Sequence, residues 1–329
     1  MTKKELSNYV YRESIPAELL LEVYGSINDV LCFVPDGVKL GIKRDNTEIS
    51  RIIEVNEDVA TLLGYYAAEG FAREQETPKG TIHQTTFCGT EDGAREFYMR
   101  VLRDEFGVEP YEENYAKVTV SGRLMRTFFD TVLDAGIYAH TKRVPQCVFD
   151  ASPDIIGAYL SGYFSGDGSV SKKSLSIKAT TVSQELKEDI LALLTRLGVK
   201  GRVSETESKP LMEHFPDYYD DFERLSAPRY RISISSHDVV EFSEQVGFHL
   251  QRKNRVLGET TNSITPSKRR VFDGGNDDIY TEPIASVEYR ESDTSHVYCL
   301  TVEDTHSFVA NDIANYQCDG DEDCVMLLM

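Results

Sequence analysis

The 329-residue sequence predicts an α+β fold built from two similar halves in tandem. The first of three observations is a repeated element. Residues 155–170 read IIGAYLSGYFSGDGSV and residues 59–71 read VATLLGYYAAEGF, and the two superimpose on a final acid–glycine pair, with Leu160 to Gly168 lying over Leu62 to Gly70. The second is a repeated order of helix, strands, helix, strands and helix in each half, the pattern of two antiparallel sheets that can each leave one face open. The third is a repeated spacing: Gly136 precedes Lys142 by six residues in AGIYAHTKRVP, and Gly247 precedes Lys253 by six in VGFHLQRKNRVL.

Taken in chain order, residues 1–50 form a lead-in segment, with a short helix over 17–24 and a strand over 38–42 beside the Asp36-Gly37 turn. The first half-domain covers 51–148. After its apolar helix comes a strand with alternating polar residues over 81–88. An amphipathic helix follows over 91–106, with Phe97, Val101, Leu102 and Phe106 at helical spacing, then a strand over 117–121 and a helix over 124–135. The second half-domain, 149–258, gives a strand over 174–180, a helix over 184–197, a strand over 230–235 and a helix over 238–246. Residues 259–278, with Pro266, a Gly274-Gly275 pair and few apolar residues, read as a linker.

Each copy of the repeated element reads as an apolar helix ending in an acid, Glu69 or Asp167, with a glycine just beyond that is expected to stop the helix in the left-handed conformation. Gly64 with Ala68, and Gly162 with Gly166, put small residues four apart on one face, so two helix backbones can approach closely. Packed side by side, the helices bring both carboxylates to their C-terminal ends. The helix dipole disfavours an anion there by roughly 0.3–1 kcal/mol. Two such acids also repel each other, so a cation is expected between them, and oxygen-only ligands favour magnesium or another hard divalent ion.

These residues resemble the two motifs of the LAGLIDADG (DOD-type) homing endonucleases, in the single-chain form with two pseudo-symmetric αββαββα halves, and depart from the consensus only at inner positions. The resemblance implies a metal-dependent nuclease that hydrolyses both strands of a long DNA duplex, with Glu69 and Asp167 holding the metals. It also implies a saddle of two sheets lying in the major groove. The family carries a lysine after the last helix of each half that polarises the attacking water or steadies phosphate charge. Here those lysines are Lys142 and Lys253.

A net charge of −20 opposes DNA binding, which rests on Lys and Arg neutralising phosphates. A basic face on an acidic body would resolve this, and its candidates are Arg123 and Arg126, Lys142 and Arg143, Lys172, Lys173 and Lys178, and Arg229 with Arg231. Adaptation to a salty cytoplasm, where screening shrinks the repulsion, is a second account of the acidity. Cys32, Cys88, Cys147, Cys299, Cys318 and Cys324 contain no CxxC pair, so neither a zinc site nor a disulfide framework is indicated. No apolar run is long enough to span a membrane and the start MTKKELSNYV has no signal-peptide pattern, so a cytoplasmic, monomeric protein is expected.

The tail carries a second motif set. Strands are expected over 280–289 and 297–302. Residues 297–311, VYCLTVEDTHSFVAN, resemble the next-to-last conserved block of inteins, and 313–318, IANYQC, resemble their C-terminal splice junction. The resemblance implies that 279–317 are the β-rich C-terminal part of a Hint (intein) domain. Cys318 is then the nucleophile after the junction and Gln317 the residue that cyclises onto its own peptide bond. His306 is the general acid or base, and Cys299 takes a position usually Asp or Cys in the family. Tyr316 stands where the family has His. Residues 318–329, CDGDEDCVMLLM, with Asp319, Asp321 and Asp323, resemble the active-site region of the large subunit of archaeal DNA polymerase D (polymerase II), which makes them host sequence. The N-terminal splicing blocks are not found, so splicing in cis is expected to be incomplete and a separately encoded N-terminal intein piece is the expected partner for it. The DNA partner is double-stranded DNA at the intein-free host-gene junction. The alternatives are a decayed DNA-binding remnant and a split-intein half with splicing function only.

Overall fold

The computed structural model describes residues 2–264 apart from 44, 46, 79 and 207–227, and in the tail 286, 287, 289, 300, 302, 303, 307–310 and 313–316. Three short helices open the chain, α1 (Lys3–Arg12), α2 (Ala17–Tyr24) and α3 (Ile27–Phe33), of which only α3 buries a residue, Val30. A small hairpin, β1 (Lys39–Gly41) with β2 (Glu48–Ser50), ties this lead-in to the first half-domain: Ser50 N donates to Phe106 O at 2.8 Å, and the Asp45 carboxylate accepts from Arg123 N at 2.6 Å.

The centre of the molecule is the pair α4 (Glu57–Glu69) and α8 (Pro153–Asp167). Both are apolar on nearly every side, because each is packed against the other and against its own sheet. Tyr66, Leu62, Tyr159, Tyr163 and Phe164 have essentially no exposure. Asn56 caps α4 by accepting from Val59 N at 2.9 Å. The close approach rests on glycines. A Cβ on Gly64 would overlap the Tyr159 carbonyl and sit 2.7 Å from Tyr163 N, and one on Gly162 would overlap the Thr61 carbonyl.

Each half then repeats one plan. In the first, β3 (Gly70–Thr77) leaves α4 directly, pairs with β4 (Gly80–Cys88), and β6 (Lys117–Ser121) lies between β4 and β5 (Tyr111–Asn114), giving the order β3-β4-β6-β5. In the second, β7 (Ser169–Ser171), β8 (Ser176–Thr181), β9 (Arg202–Thr206) and β10 (Arg229–Ser235) make the order β7-β8-β10-β9. Helices back both sheets: α5 (Asp92–Asp104) and α6 (Arg123–Thr127) in the first half, α9 (Gln184–Arg196) and α10 (His237–Gln245) in the second. A short α7 (Gln146–Phe149) leads into α8. The α+β fold of two pseudo-symmetric halves is thus observed in the described residues.

Several expectations change. Gly70 and Gly168 end α4 and α8 in extended backbone (φ −88° and −79°), with no left-handed residue. What glycine provides there is space, since a Cβ would meet the Tyr66 Cα at 2.7 Å or the Phe164 Cα at 2.9 Å. The helix expected over 124–135 is broken. After α6 the chain widens into a π turn over Phe128–Val132, with Leu133 N donating to Phe128 O at 2.9 Å. The wider turn lets Phe129 pack on Tyr66 at a centroid distance of 4.4 Å while Phe128 faces Phe106. The strand expected over 174–180 is β8, which starts two residues later at Ser176 because 172–175 form the turn from β7, a strand the patterning does not mark. A last helix, α11 (Gln251–Thr261), runs three residues into the stretch expected to be a linker; residues 265–278 lie outside the described residues.

In the tail, β11 (Ser307–Ala310) pairs with β12 (Ile313–Tyr316) as an antiparallel hairpin. The strands expected over 280–289 and 297–302 fall mostly outside the described residues, and those described within them are not in strands. Among the described residues, no helix is long and apolar enough to cross a membrane.

Candidate active site

Glu69 and Asp167 end their helices on the same side of the α4–α8 pair. The helices are so close at that end that a Cβ on Gly166 would lie 3.4 Å from Glu69 Cγ. Glu69 is exposed and Asp167 is partly covered. Burial pushes the Asp167 carboxyl well above the ordinary carboxylate range; the Glu69 charge pushes it further, while Lys253 and Lys142 oppose the rise. Glu69, though its side chain is open to solvent on one side, is raised as well by partial desolvation at the helix end, against Lys253.

Both lysines come to this end, and each is delivered by the loop that the repeated spacing marks. Gly136 (φ +70°) and Gly247 (φ +64°) both stand in the left-handed region, so the six-residue spacing reflects one turn built twice. From the first turn, Lys142 reaches a site where it is 2 % exposed. Its Nζ donates to Tyr66 O at 3.0 Å and lies 3.2 Å from the centroid of the Tyr66 ring. Burial pushes this amine well below the ordinary lysine value, and Asp167 raises it in part. Ser183 Oγ, at the N-cap of α9, donates to Lys142 O at 2.5 Å, so the second half helps hold the first half's lysine.

From the second turn, Lys253 enters on α11 and caps the end of α8. Its Nζ donates to Ser165 O and Gly168 O, both at 2.5 Å, and to Gly166 O at 3.2 Å and Phe164 O at 3.3 Å. A cation on orphaned C-terminal carbonyls is where the helix dipole favours one. The lysines are therefore equivalent by position, at Tyr66 and Phe164 three residues before each acid, but unequal in environment. Lys253 is half-buried and also feels Glu91 and Arg252.

Tyr65, Ser165 and His249 also belong to this end, and nothing in the sequence patterning marks them. Tyr65 OH meets His249 Nδ1 at 3.0 Å across the halves, and Leu250 N donates to Ser165 Oγ at 3.2 Å. These bonds fix the start of α11 and so the approach of Lys253. Sequence alone could not pair position 65 with position 249.

The acid pair offers carboxylate oxygens, with the Lys142 and Lys253 amines and Cys88 nearby, and no cluster of three or more His, Cys, Asp or Glu that could hold a metal occurs among the described residues. Two carboxylates suit a magnesium-like ion, which keeps several waters and takes one or two protein carboxylates beside phosphate oxygens. An acid pair raised by burial, with Asp167 raised further by the Glu69 charge, is also one that a divalent cation would relieve. The residues fit the cation.

The sheets extend from this end, their outward faces opposite the helices. On the second sheet, cross-strand register puts Lys178, Arg202, Arg229 and Arg231 on that face among serines and threonines. The one acid in these strands, Glu205, pairs with Tyr230 on the helix side, where Lys187 of α9 lies over the Tyr230 ring. On the first sheet the outward face is a closed polar network. Arg73 Nε donates to Gln84 Oε1 at 2.8 Å, Gln84 Nε2 to Tyr111 OH at 2.8 Å, and Glu113 sits 3.8 Å from the Arg73 guanidinium.

Most of the other basic candidates are engaged elsewhere. Arg126 pairs with Glu74 and Asp130, Arg143 with Asp134, and Lys172 with Glu259. Arg202 is an addition to the basic face, and the alternation in RVSET is the signal that could have found it. The tail candidates, His306, Cys299, Gln317 and Cys318, with Asp319, Asp321 and Asp323, lie outside the described residues.

A family model described as a LAGLIDADG-like domain matches residues 154–247, which hold α8, the whole second sheet and both backing helices. Residues 154–247 belong to the LAGLIDADG-like family. The LAGLIDADG-like half and the first half share strand order, central helix, lysine turn and terminal acid, so the first half repeats the same architecture. Across nearly its whole length the chain is 37 % identical to a segment of the DNA polymerase II large subunit of Haloquadratum walsbyi, covering 99 % of this chain and 15 % of that protein. It is 32 % identical to the DNA polymerase II large subunit of Thermococcus kodakarensis, covering 98 % and 18 %. The chain thus spans less than a fifth of the length of these curated relatives. Among solved structures it is similar to I-DmoI in complex with DNA and Mn, at 16 % identity and a TM-score of 0.42 over 60 % of this chain and all of that one.

The acid pair sets the pH dependence of the metal-free protein. With its folded-state pKa raised, Asp167 stabilises the fold fully below the ordinary aspartate value of about 3.9 and loses that contribution as pH rises through the raised value. Thermal midpoints measured without divalent ions should therefore fall over that interval, and Asp167→Asn should flatten the fall. Identical pH profiles for wild type and variant would remove the raised carboxyl from the account.

Proposed function

We propose that the chain is a site-specific homing endonuclease that hydrolyses both strands of double-stranded DNA at the intein-free host-gene junction, carried within a partial intein. The observation that carries this reading is the meeting of Glu69, Asp167, Lys142 and Lys253 at one end of the α4–α8 pair, between two open sheet faces.

Glu69 and Asp167 would hold magnesium or another hard divalent ion, which when bound supplies a water of lowered pKa and a Lewis acid toward phosphate oxygen. Lys142, whose amine burial pushes well below the ordinary lysine value, can take up or release a proton at Nζ beside Asp167. Lys253 keeps positive charge at the α8 terminus, where an incoming phosphate is stabilised. The sheet faces orient the duplex, and the tight α4–α8 seam keeps the acids in register. Plasmid carrying the junction, incubated with the protein and magnesium across a salt series, should be linearised. Plasmid bound but uncut at every salt would leave a decayed DNA-binding remnant. A high salt optimum would favour the salt-adaptation account of the acidity over the basic face alone.

The tail supports a second activity, the C-terminal half of protein splicing. Its support is the junction-like sequence together with the hairpin β11–β12, which leads directly to Gln317. The Gln317 side-chain nitrogen attacks its own carbonyl carbon, closes a six-membered imide and releases the Cys318 amine, with His306 moving the proton; Cys318 is also the acceptor nucleophile if an N-terminal piece is supplied in trans. Intact mass after long incubation should show two fragments whose masses sum to that of the chain. An unchanged mass in a folded sample would contradict cleavage after Gln317.

A further inference from the structure

We infer that the two half-domains hold DNA unequally: the second sheet, through Lys178, Arg202, Arg229 and Arg231, is the salt-sensitive anchor, and the first sheet holds its half-site by neutral polar contacts. This rests on the nuclease reading and deepens it.

The asymmetry follows from register. Lys178 faces Ser233 across one pair, Ser233 faces Arg202 across the next, and Arg231 lies between Thr180 and Ser204. Strand alternation puts the core residues Ile177, Ala179, Ile232 and Ile234 on the opposite face, so the cations cannot turn inward without flipping the sheet. Lys178, Arg202 and Arg231 are exposed, Arg229 is partly so, and none of the four makes an ion pair among the described residues. On a chain of net charge −20, a face with cations and without a strand carboxylate is a local reversal of sign. It is suited to a polyanion and to little else.

The first sheet is built differently. Arg73 is committed to Gln84 and Glu113, and Lys117 lies over the Phe71 ring at 5.7 Å. Thr119 donates to Glu113 at 3.4 Å and Tyr111 OH meets Ser121 Oγ at 3.2 Å. Recruiting Arg73 to a phosphate means breaking this network and bringing Glu113 toward the duplex. Its donors and acceptors suit base edges better than phosphates.

The test is a binding titration without magnesium, using a labelled duplex spanning the intein-free junction, over a salt series. One variant combines Lys178→Ala, Arg202→Ala, Arg229→Ala and Arg231→Ala, and a second combines Arg73→Ala and Lys117→Ala. All six positions lie on sheet faces away from the core, and thermal midpoints check that both variants fold. Each phosphate that a removed cation had neutralised should make the slope of log K against log salt shallower by about 0.9. The fourfold variant should therefore show a slope shallower by about 3 to 4 and at least a hundredfold weaker binding at moderate salt. The double variant should keep the wild-type slope to within about 0.9, the share of a single phosphate. Equal slope changes in the two variants, or a larger one in the double variant, overturn the asymmetry while leaving the nuclease reading intact. Wild type that binds neither this duplex nor unrelated DNA overturns both.

Discussion

Replacing either acid is expected to end double-strand cleavage while leaving the fold in place. Glu69→Gln and Asp167→Asn keep the shape of each side chain and remove the charge that would hold a cation. The loss should be roughly a thousandfold or more, equivalent to about 4 kcal/mol of transition-state stabilisation. Asp167→Asn should not destabilise the metal-free protein at neutral pH, because the native carboxylate is disfavoured by burial and by Glu69. Lost activity with a retained thermal midpoint therefore cannot be blamed on misfolding. Added magnesium should raise the midpoint of wild type, as any ligand of the native state does, and should raise it less in each variant. Cleavage surviving in both single variants would remove the acids from the mechanism.

A large loss of stability is expected from a side chain at Gly162. A Cβ there overlaps the Thr61 carbonyl and lies 3.1 Å from the Thr61 Cα, so the clash is with backbone that no rotamer change can move. Gly162→Ala must push α8 off α4, at a cost of about 3 kcal/mol or more. For a protein of this size that lowers the thermal midpoint by roughly 5 °C. It also displaces Asp167 from Glu69, so cleavage should fall even below the new melting point. The control is Gly258→Ala in α11, where an added Cβ meets nothing within 4 Å. Removing a helical glycine there should stabilise by about 0.5–1 kcal/mol. Equal effects at the two glycines would show that helix propensity, and not the seam, decides.

The seam was legible in the sequence because its cause is local and repeated. An apolar run, small residues four apart and a terminal acid occur twice, and the lysine turns recur with a positive-φ glycine each time. The α2 bounds and the β6 bounds agree with the expected ones for the same reason, a clear pattern between clear breaks. What was not legible depends on long-range partners. β3, β5 and β9 are polar or charged (GFAREQET, YEEN, RVSET) and exist because a neighbouring strand pairs with them. The extended ends at Gly70 and Gly168 answer to Tyr66 and Phe164 crowding, so a C-cap rule points to the right residue for the wrong reason. Likewise Arg126, Arg143 and Lys172 look like free cations in the sequence and are paired in the fold; the alternation in RVSET sets Arg202 apart from Val203, but that it shares a face with Arg231 follows from the register.

The most direct measurement is cleavage of an end-labelled duplex spanning the intein-free junction, with magnesium at the salt optimum, by wild type and by a variant carrying Glu69→Gln and Asp167→Asn together. The expected result is that wild type cuts both labelled strands and the double variant cuts neither while still retarding the duplex. Both strands left intact by wild type at every salt, or both still cut by the double variant, would contradict the paired acids as the catalytic centre.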